Sequence, residues 1–186
     1  MQIYSIGHSH HSFSHFYNLL ENNGIKIVVD VRSIPYSRHF PVYRKKNLES
    51  ELKGKGFGYV FLGRELGGKR KEDRFLTPDG KTDYERIKGL SSFKQGIEDV
   101  IKLGQENLKP ALMCAEKDPR RCHRFLLLGN YLARKGLWIS HIFEDGSLRG
   151  QKELEKEMVE KYCPPSLFSD CQLPPPVEAG ACKSSS

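Results

Sequence analysis

The sequence predicts an α/β fold in which a mostly parallel, five-stranded sheet is covered by helices on both faces. Three observations predict it. Short apolar runs and amphipathic stretches alternate five times along the chain. Several of the runs are continuously apolar, as strands buried on both faces must be. Residues that start or stop helices stand between them: Ser12, Gly24, Asp118 with Pro119, and Gly136. Right-handed crossovers between parallel strands then give a three-layer, doubly wound arrangement. The strand order is not readable at this level.

Gln2–Ile6 reads as the first strand. Phe13, Phe16, Tyr17 and Leu20 follow at helical spacing behind Ser12 as N-cap, and Gly24 ends that helix. Ile27, Val28 and Val29 form a second strand running into Asp30. Pro35 and Pro41 bar regular helix from the loop that follows. Lys46–Leu52 is expected to be a short helix and Phe57–Phe61 a third strand. Leu62–Lys81, with Gly63, Gly67, Gly68, Pro78 and Gly80, reads as a long loop, a length often tied to function. Thr82 with Glu85 suggests a capping box, opening a helix whose inner face carries Ile87, Leu90, Ile97 and Ile101. Ala111–Cys114 is the fourth strand. Asp118-Pro119 marks the start of a helix that buries Phe125, Leu128 and Leu132. Leu137–Ile142 is the fifth strand, and Ser147–Tyr162 the last helix. The whole is a Rossmann-like or flavodoxin-like pattern.

The 186 residues suit one domain with a hydrophobic core, expected over 1–162. Residues 163–186 carry five prolines and a serine-rich end and read as a tail. No apolar run approaches the roughly 18 residues of a membrane span, and the N-terminus lacks a signal-peptide pattern, so a cytoplasmic protein with no membrane partner is expected. Five cysteines, three of them at or beyond Cys163, do not form a disulfide-scaffold pattern. The net charge of +7 is concentrated. Arg32, Arg38, Arg44, Lys45 and Lys46 fall between Val31 and Asn47 with no acidic residue among them. Such a patch attracts phosphate-bearing ligands or nucleic acid, although plain solubility explains it as well. Aromatic neighbours such as Tyr36 and Tyr43 could stack bases or simply pack.

In a doubly wound sheet, ligands bind beyond the carboxyl ends of the strands. Those ends carry the reactive residues of this chain: Gly7-His8-Ser9, Asp30-Val31-Arg32, the glycine-rich stretch from Gly63 to Gly68, and Cys114-Ala115-Glu116-Lys117. Cys114, between a strand and a helix start, is a candidate thiolate nucleophile or a buried cysteine. Its C-x5-R spacing to Arg120 matches cysteine phosphatases, but Glu116, Asp118 and Pro119 make a poor phosphate cradle. His123 is a candidate acid or base, and Arg124 could pair with Glu116 or clamp an anion. Asp30 could orient His8 or Arg124. The candidate catalytic residues are thus Cys114, Glu116, His123, His8 and Asp30. Candidate substrate-binding residues are Arg32, Ser37, Arg38, Lys117, Cys122, Arg124, Gly63, Gly67 and Gly68. No metal site is expected: Cys114-x7-Cys122 is not a knuckle spacing, and a fourth ligand beyond His123, such as His8 or Cys163, would have to come from elsewhere. No dinucleotide fingerprint or Walker loop is present, so no cofactor is identified.

The order and spacing of Ser5-Ile6-Gly7-His8-Ser9, Asp30-Val31-Arg32 with Pro35 and Ser37, Tyr59 through Leu62-Gly63 to Leu66-Gly67-Gly68, and Cys114-Ala115-Glu116 with Cys122-His123-Arg124 resemble the family of domain of unknown function 488. The resemblance covers roughly residues 1–160. It implies a compact α/β domain and points to these residues as its pocket, but it supplies no reaction. Two expectations follow. One is an enzyme acting on an anionic, nucleotide-like or nucleic-acid-like substrate through a Cys/His/Glu/Arg cleft. The other is a non-catalytic module binding nucleotides or nucleic acid.

Overall fold

A computed structural model describes residues 1–70 and 72–162. The tail expected over 163–186, with Cys163, lies outside the described residues.

Six strands form one sheet, β1 (Gln2–Gly7), β2 (Ile27–Asp30), β3 (Gly58–Phe61), β4 (Pro110–Cys114), β5 (Trp138–Ile142) and β6 (Leu148–Gly150). Their order across the sheet is β3-β2-β4-β1-β5-β6. The first five are parallel, and β6 runs antiparallel to β5. The sheet therefore has six strands rather than the expected five. The extra strand lies where the last helix was expected to begin. Gly146 takes a positive φ of 84°, and Asp145 accepts hydrogen bonds from the Ser147 amide and hydroxyl. This turn sends three residues back along β5 before α7 (Gln151–Tyr162) starts.

Chain direction decides which face each helix covers. α1 (Phe13–Asn22) and α2 (Lys45–Gly54) carry the chain from β1 to β2 and on to β3, and pack on one face through Phe16, Leu19, Leu20, Leu48 and Leu52. The other face is covered by α3 (Gly63–Leu66), α4 (Tyr84–Gly89), α5 (Ser91–Gln105) and the segment that ends in α6 (Asn130–Arg134), through Leu66, Ile87, Phe93, Ile97, Leu128 and Leu132. Two cores result, divided by strands whose residues Ile3, Val28, Val29, Ala111, Leu112 and Met113 are fully buried. The chain changes face between the connections leaving β1 and β2 and the one leaving β4. The crevice where β4 lies between these two strands is the topological switch point.

Local chemistry accounts for the helix boundaries. Ser12 caps α1 by accepting from the His15 amide, and Gly24 reverses the chain at φ 64°. The helix expected from Thr82 starts two residues later. Asp83, not Thr82, accepts from the Arg86 amide, and extended backbone at Leu90 divides the stretch into α4 and α5. The continuous helix expected after Asp118 is also divided. Asp118 caps a single 3₁₀ turn (Pro119–Arg121), Cys122 is extended at φ −124° and ψ 148°, and Arg124–Gly129 winds as a π-helix before α6. Wide turns of this kind gather at functional sites. Here the turn carries Arg124 into the interior, where it is fully buried.

Candidate functional site

Pairing between the central strands continues past their ends. The His8 amide donates to the Cys114 carbonyl at 2.9 Å, and the Val31 amide donates to the Met113 carbonyl at 3.1 Å. The ends of β1, β2 and β4 are thereby fixed side by side, and Gly7-His8, Asp30 and Cys114 reach the switch point together. Gly7 is required there, because a Cβ would lie 2.1 Å from the Glu116 carbonyl oxygen.

Alternation along the strands then sorts these residues onto two faces. On the face covered by α1 and α2, Asp30 and Arg32 form a buried, two-pronged ion pair, Nε to Oδ1 at 2.9 Å and Nη2 to Oδ2 at 2.6 Å. The Asp30 carboxylate also accepts from the Arg32 amide and the Tyr59 hydroxyl. Arg32 Nη1 donates to the Tyr43 carbonyl at 2.8 Å and to His8 Nε2 at 3.1 Å. His8 gives its Nδ1 proton to the Ser9 carbonyl and stacks on the Tyr43 ring, 4.1 Å between centroids. Burial, helped by the Arg32 charge, lowers the His8 pKa to about 3, so the ring is neutral and accepts from Arg32. Burial, with the Asp30 charge adding to it, pushes the Tyr59 phenol well above its ordinary value. The network is closed: Arg32 is turned inward, and Asp30 orients His8 through it.

The opposite face carries Cys114, Cys122 and His123. Their two sulfurs and one ring nitrogen all lie within 4.8 Å of one another. His123 Nδ1 stands 3.8 Å from Cys114 Sγ and 3.6 Å from Cys122 Sγ. The other ring nitrogen, Nε2, donates to the Val31 carbonyl at 3.1 Å, which directs the Nδ1 lone pair at the sulfurs. Gly68 lies flush against this ring; a Cβ there would stand 2.5 Å from His123 Cβ. Arg124 donates to Cys122 Sγ at 3.4 Å, the Ser5 hydroxyl at 3.5 Å and the Glu116 carbonyl at 2.7 Å. Its partner on Glu116 is thus the backbone, and the Glu116 carboxylate accepts from the Lys117 amide.

The two thiols of the cluster are shifted in opposite directions. The 3₁₀ turn begins only at Pro119, five residues after Cys114. Its hydrogen bond to Cys122, and then burial, push the Cys114 thiol well above its ordinary value. Burial also opposes a Cys122 thiolate, but the Cys114 thiol, the Arg124 guanidinium and the His123 ring outweigh it and hold Cys122 well below. Cys114 is thus shifted upward and its neighbour Cys122 downward.

A hydrogen-bonded path runs from this cluster toward α7. Ser5 bonds His141 Nδ1 at 2.6 Å, and His141 Nε2 donates to Gln151 Oε1 at 2.8 Å. Gln151 donates to Glu155 and to the Phe125 carbonyl inside the π-helix. Burial lowers the His141 pKa to about 4, against the opposing Gln151 bond.

The remaining candidates lie around these two clusters. Gly63 and Gly67 are packing glycines: a Cβ would meet the Arg32 carbonyl at 2.1 Å in the first case and the Gly63 carbonyl at 2.3 Å in the second. Ser37 braces its loop, accepting from the Phe40 amide and, through its carbonyl, from Arg44. Arg38 and Lys117 are exposed, and Lys117 pairs with Glu144 at 2.5 Å. Arg120 of the C-x5-R spacing is bonded to Asp118. Sequence reasoning missed Tyr84 and Gln151, and named Ser5 only within the family resemblance. Burial and then the nearby Cys122 and Cys114 raise the Tyr84 phenol to about 12. Ser5 had a signal: a hydroxyl in the middle of a buried strand needs a partner. Tyr84, at the start of α4, had none.

The family model described as domain of unknown function DUF488 matches residues 12–131, which include Asp30, Cys114, Cys122 and His123. No curated protein matches the chain, and no solved structure does.

Proposed function

The chain belongs to the DUF488 family, and we propose that it is an enzyme acting on an anionic substrate, of nucleotide or nucleic-acid type, in the crevice around Cys114, Cys122 and His123. The observation that carries this reading is the convergence of two thiols and one ring nitrogen within 4.8 Å at the switch point of the sheet. Cys122, His123 and Cys114 do the chemistry. Arg124 fixes Cys122 from below, and Gly68 holds the ring in place. Arg32 and Arg124 are engaged in the interior, so the substrate charge is met by cations of the surrounding loops. Lys69 and Arg121, both exposed, directly follow Gly68 and precede Cys122. His8 and Asp30 are positioning residues on the far side of the sheet.

The test is turnover of a panel of nucleotides, phosphate esters and oligonucleotides by the full chain, alongside Cys122→Ser and His123→Ala. Turnover that falls by about 100-fold or more in either variant, with a KM that rises with salt, supports the reading. Turnover equal in both variants, or confined to uncharged compounds, overturns it.

One observation favours the second reading, a nucleic-acid-binding surface without catalysis. Tyr36 is 60% exposed, and the Arg44 guanidinium lies 4.8 Å from its ring centroid within the basic loop. Salt-sensitive binding of single-stranded DNA or RNA that is lost in Tyr36→Ala, with no turnover, would select it.

A further inference from the structure

We propose that Cys114, Cys122 and His123 form a binding site for one zinc-class divalent cation, with Sγ, Sγ and Nδ1 as ligands and a fourth position left open. The inference gives the proposed reactive centre a cofactor, but it stands on geometry alone and does not require turnover.

The two sulfur-to-nitrogen distances fit a tetrahedral ion. Bonds of about 2.3 Å to sulfur and about 2.05 Å to nitrogen set S···N edges of about 3.6 Å. His123 Nδ1 lies 3.6 Å from one sulfur and 3.8 Å from the other. The two sulfurs lie within 4.8 Å of each other, and an ion would draw them to the edge of about 3.8 Å that two bonds of about 2.3 Å set. Two thiolates and a neutral imidazole balance a dication, and the softness of this set favours zinc over calcium or magnesium.

The surroundings match what metal-binding residues need around them. A ligating histidine usually donates its second ring proton to a carbonyl or carboxylate, which fixes tautomer and orientation. His123 Nε2 does so to Val31. The Arg124 guanidinium donates to Cys122 Sγ, a bond that a metal-held thiolate can keep. Gly68 presses on the ring at a distance no larger residue allows. Cys122 and His123 are buried and Cys114 is half-buried.

Three ligands are present, not four. Among the described residues, no further histidine, cysteine or carboxylate joins the group. Structural zinc sites are closed by four protein ligands, whereas catalytic sites use three and leave one position to water or substrate. An ion held here would act as a Lewis acid toward an anionic oxygen, which suits the substrate class proposed above.

The experiment uses the full chain, purified under reducing conditions without chelator. Metal content is measured per chain, and zinc is then exchanged for cobalt. The expected result is one zinc per chain. The cobalt form should show sulfur-to-cobalt charge transfer in the near ultraviolet and the intense visible bands of tetrahedral coordination. Cys122→Ser and His123→Ala should weaken cobalt binding by about 100-fold or more, while Cys163→Ser should bind as the parent does. Should either variant fail to fold, alkylation of the parent chain decides, with zinc protecting Cys114 and Cys122 but not the other three cysteines. A chain that takes up no stoichiometric metal, a cobalt spectrum without sulfur charge transfer, or a Cys114–Cys122 disulfide found in place of metal would overturn the site. A metal-free chain whose turnover still depends on His123 would overturn this inference and leave the enzymatic reading standing. A zinc-loaded chain inert toward every anionic compound would do the reverse.

Discussion

The Asp30–Arg32 network and the Cys114–Cys122–His123 cluster lie at the same end of the same three strands, on opposite faces of the sheet. Both are buried, and both are built from residues that sequence reasoning placed in one pocket. They differ in what they leave unused. In the first, the guanidinium is matched by a carboxylate, a carbonyl and a histidine nitrogen, and the histidine is stacked and neutral. In the second, two sulfurs face one ring nitrogen, and the Cys122 thiol is held well below its ordinary value. Polar residues at strand ends are thus not one site by virtue of their height in the sheet. Alternation decides which of them can meet, and the state of their hydrogen bonds decides which can react.

If this contrast is right, damage to the first cluster should cost stability, and damage to the second should cost chemistry. The largest effect is expected from Asp30→Ala, which leaves Arg32 buried without its counter-charge. It should destabilise the fold by about 3–5 kcal/mol in chemical denaturation. A loss below 1 kcal/mol would mean that the pair is solvated and that Arg32 is free for a ligand.

Acid should probe both faces through their neutral histidines. His8 titrates at about 3 and His141 at about 4 in the folded chain, against 6.5 for an unperturbed ring. The unfolded chain therefore binds more protons as the pH drops below 6.5. The stabilisation is complete above that pH and is lost as pH falls toward 4, at about 1.4 kcal/mol per pH unit for each ring. Denaturation midpoints at pH 7, 6 and 5 should decline, and less steeply in His141→Gln. A flat profile would show that neither ring is held neutral.

Ser5→Ala removes the link between Arg124 and His141. It should cost about 1–3 kcal/mol, because His141 Nδ1 is left unpaired in the interior. A stabilised protein would show that the path toward α7 carries nothing. Tyr59→Phe removes a single bond to Asp30 and should cost about 1 kcal/mol, with turnover and metal content unchanged. Altered metal content in this variant would show that the two faces communicate.

Much of this was legible in the sequence where the signal is local. The apolar runs of β1, β2 and β4, the Ser12 cap and the gathering of reactive residues at strand ends follow from neighbours in the chain. The sixth strand did not show, because three residues with a glycine carry no strand pattern. The π-helix at Arg124–Gly129 did not show either, since Phe125, Leu128 and Leu132 have the spacing of an ordinary helix. The division of the pocket was half visible. Asp30 and Arg32 share a parity with Val28, and Cys114 shares one with Leu112. Which parity faces which core depends on strand order, and strand order is set by crossovers that local sequence does not encode. Tyr84, at the start of α4, lies thirty residues from Cys114 in the chain, and only the fold brings it near.

The most direct test of the contrast between the two faces is a long-range ¹H–¹⁵N NMR spectrum of the histidine rings, recorded as zinc is added. The account predicts that His123 holds its proton on Nε2 and that its Nδ1 resonance shifts until one equivalent is bound. His8 and His141 should keep their neutral tautomers unchanged. A shift at His8, or no shift at His123, would contradict it.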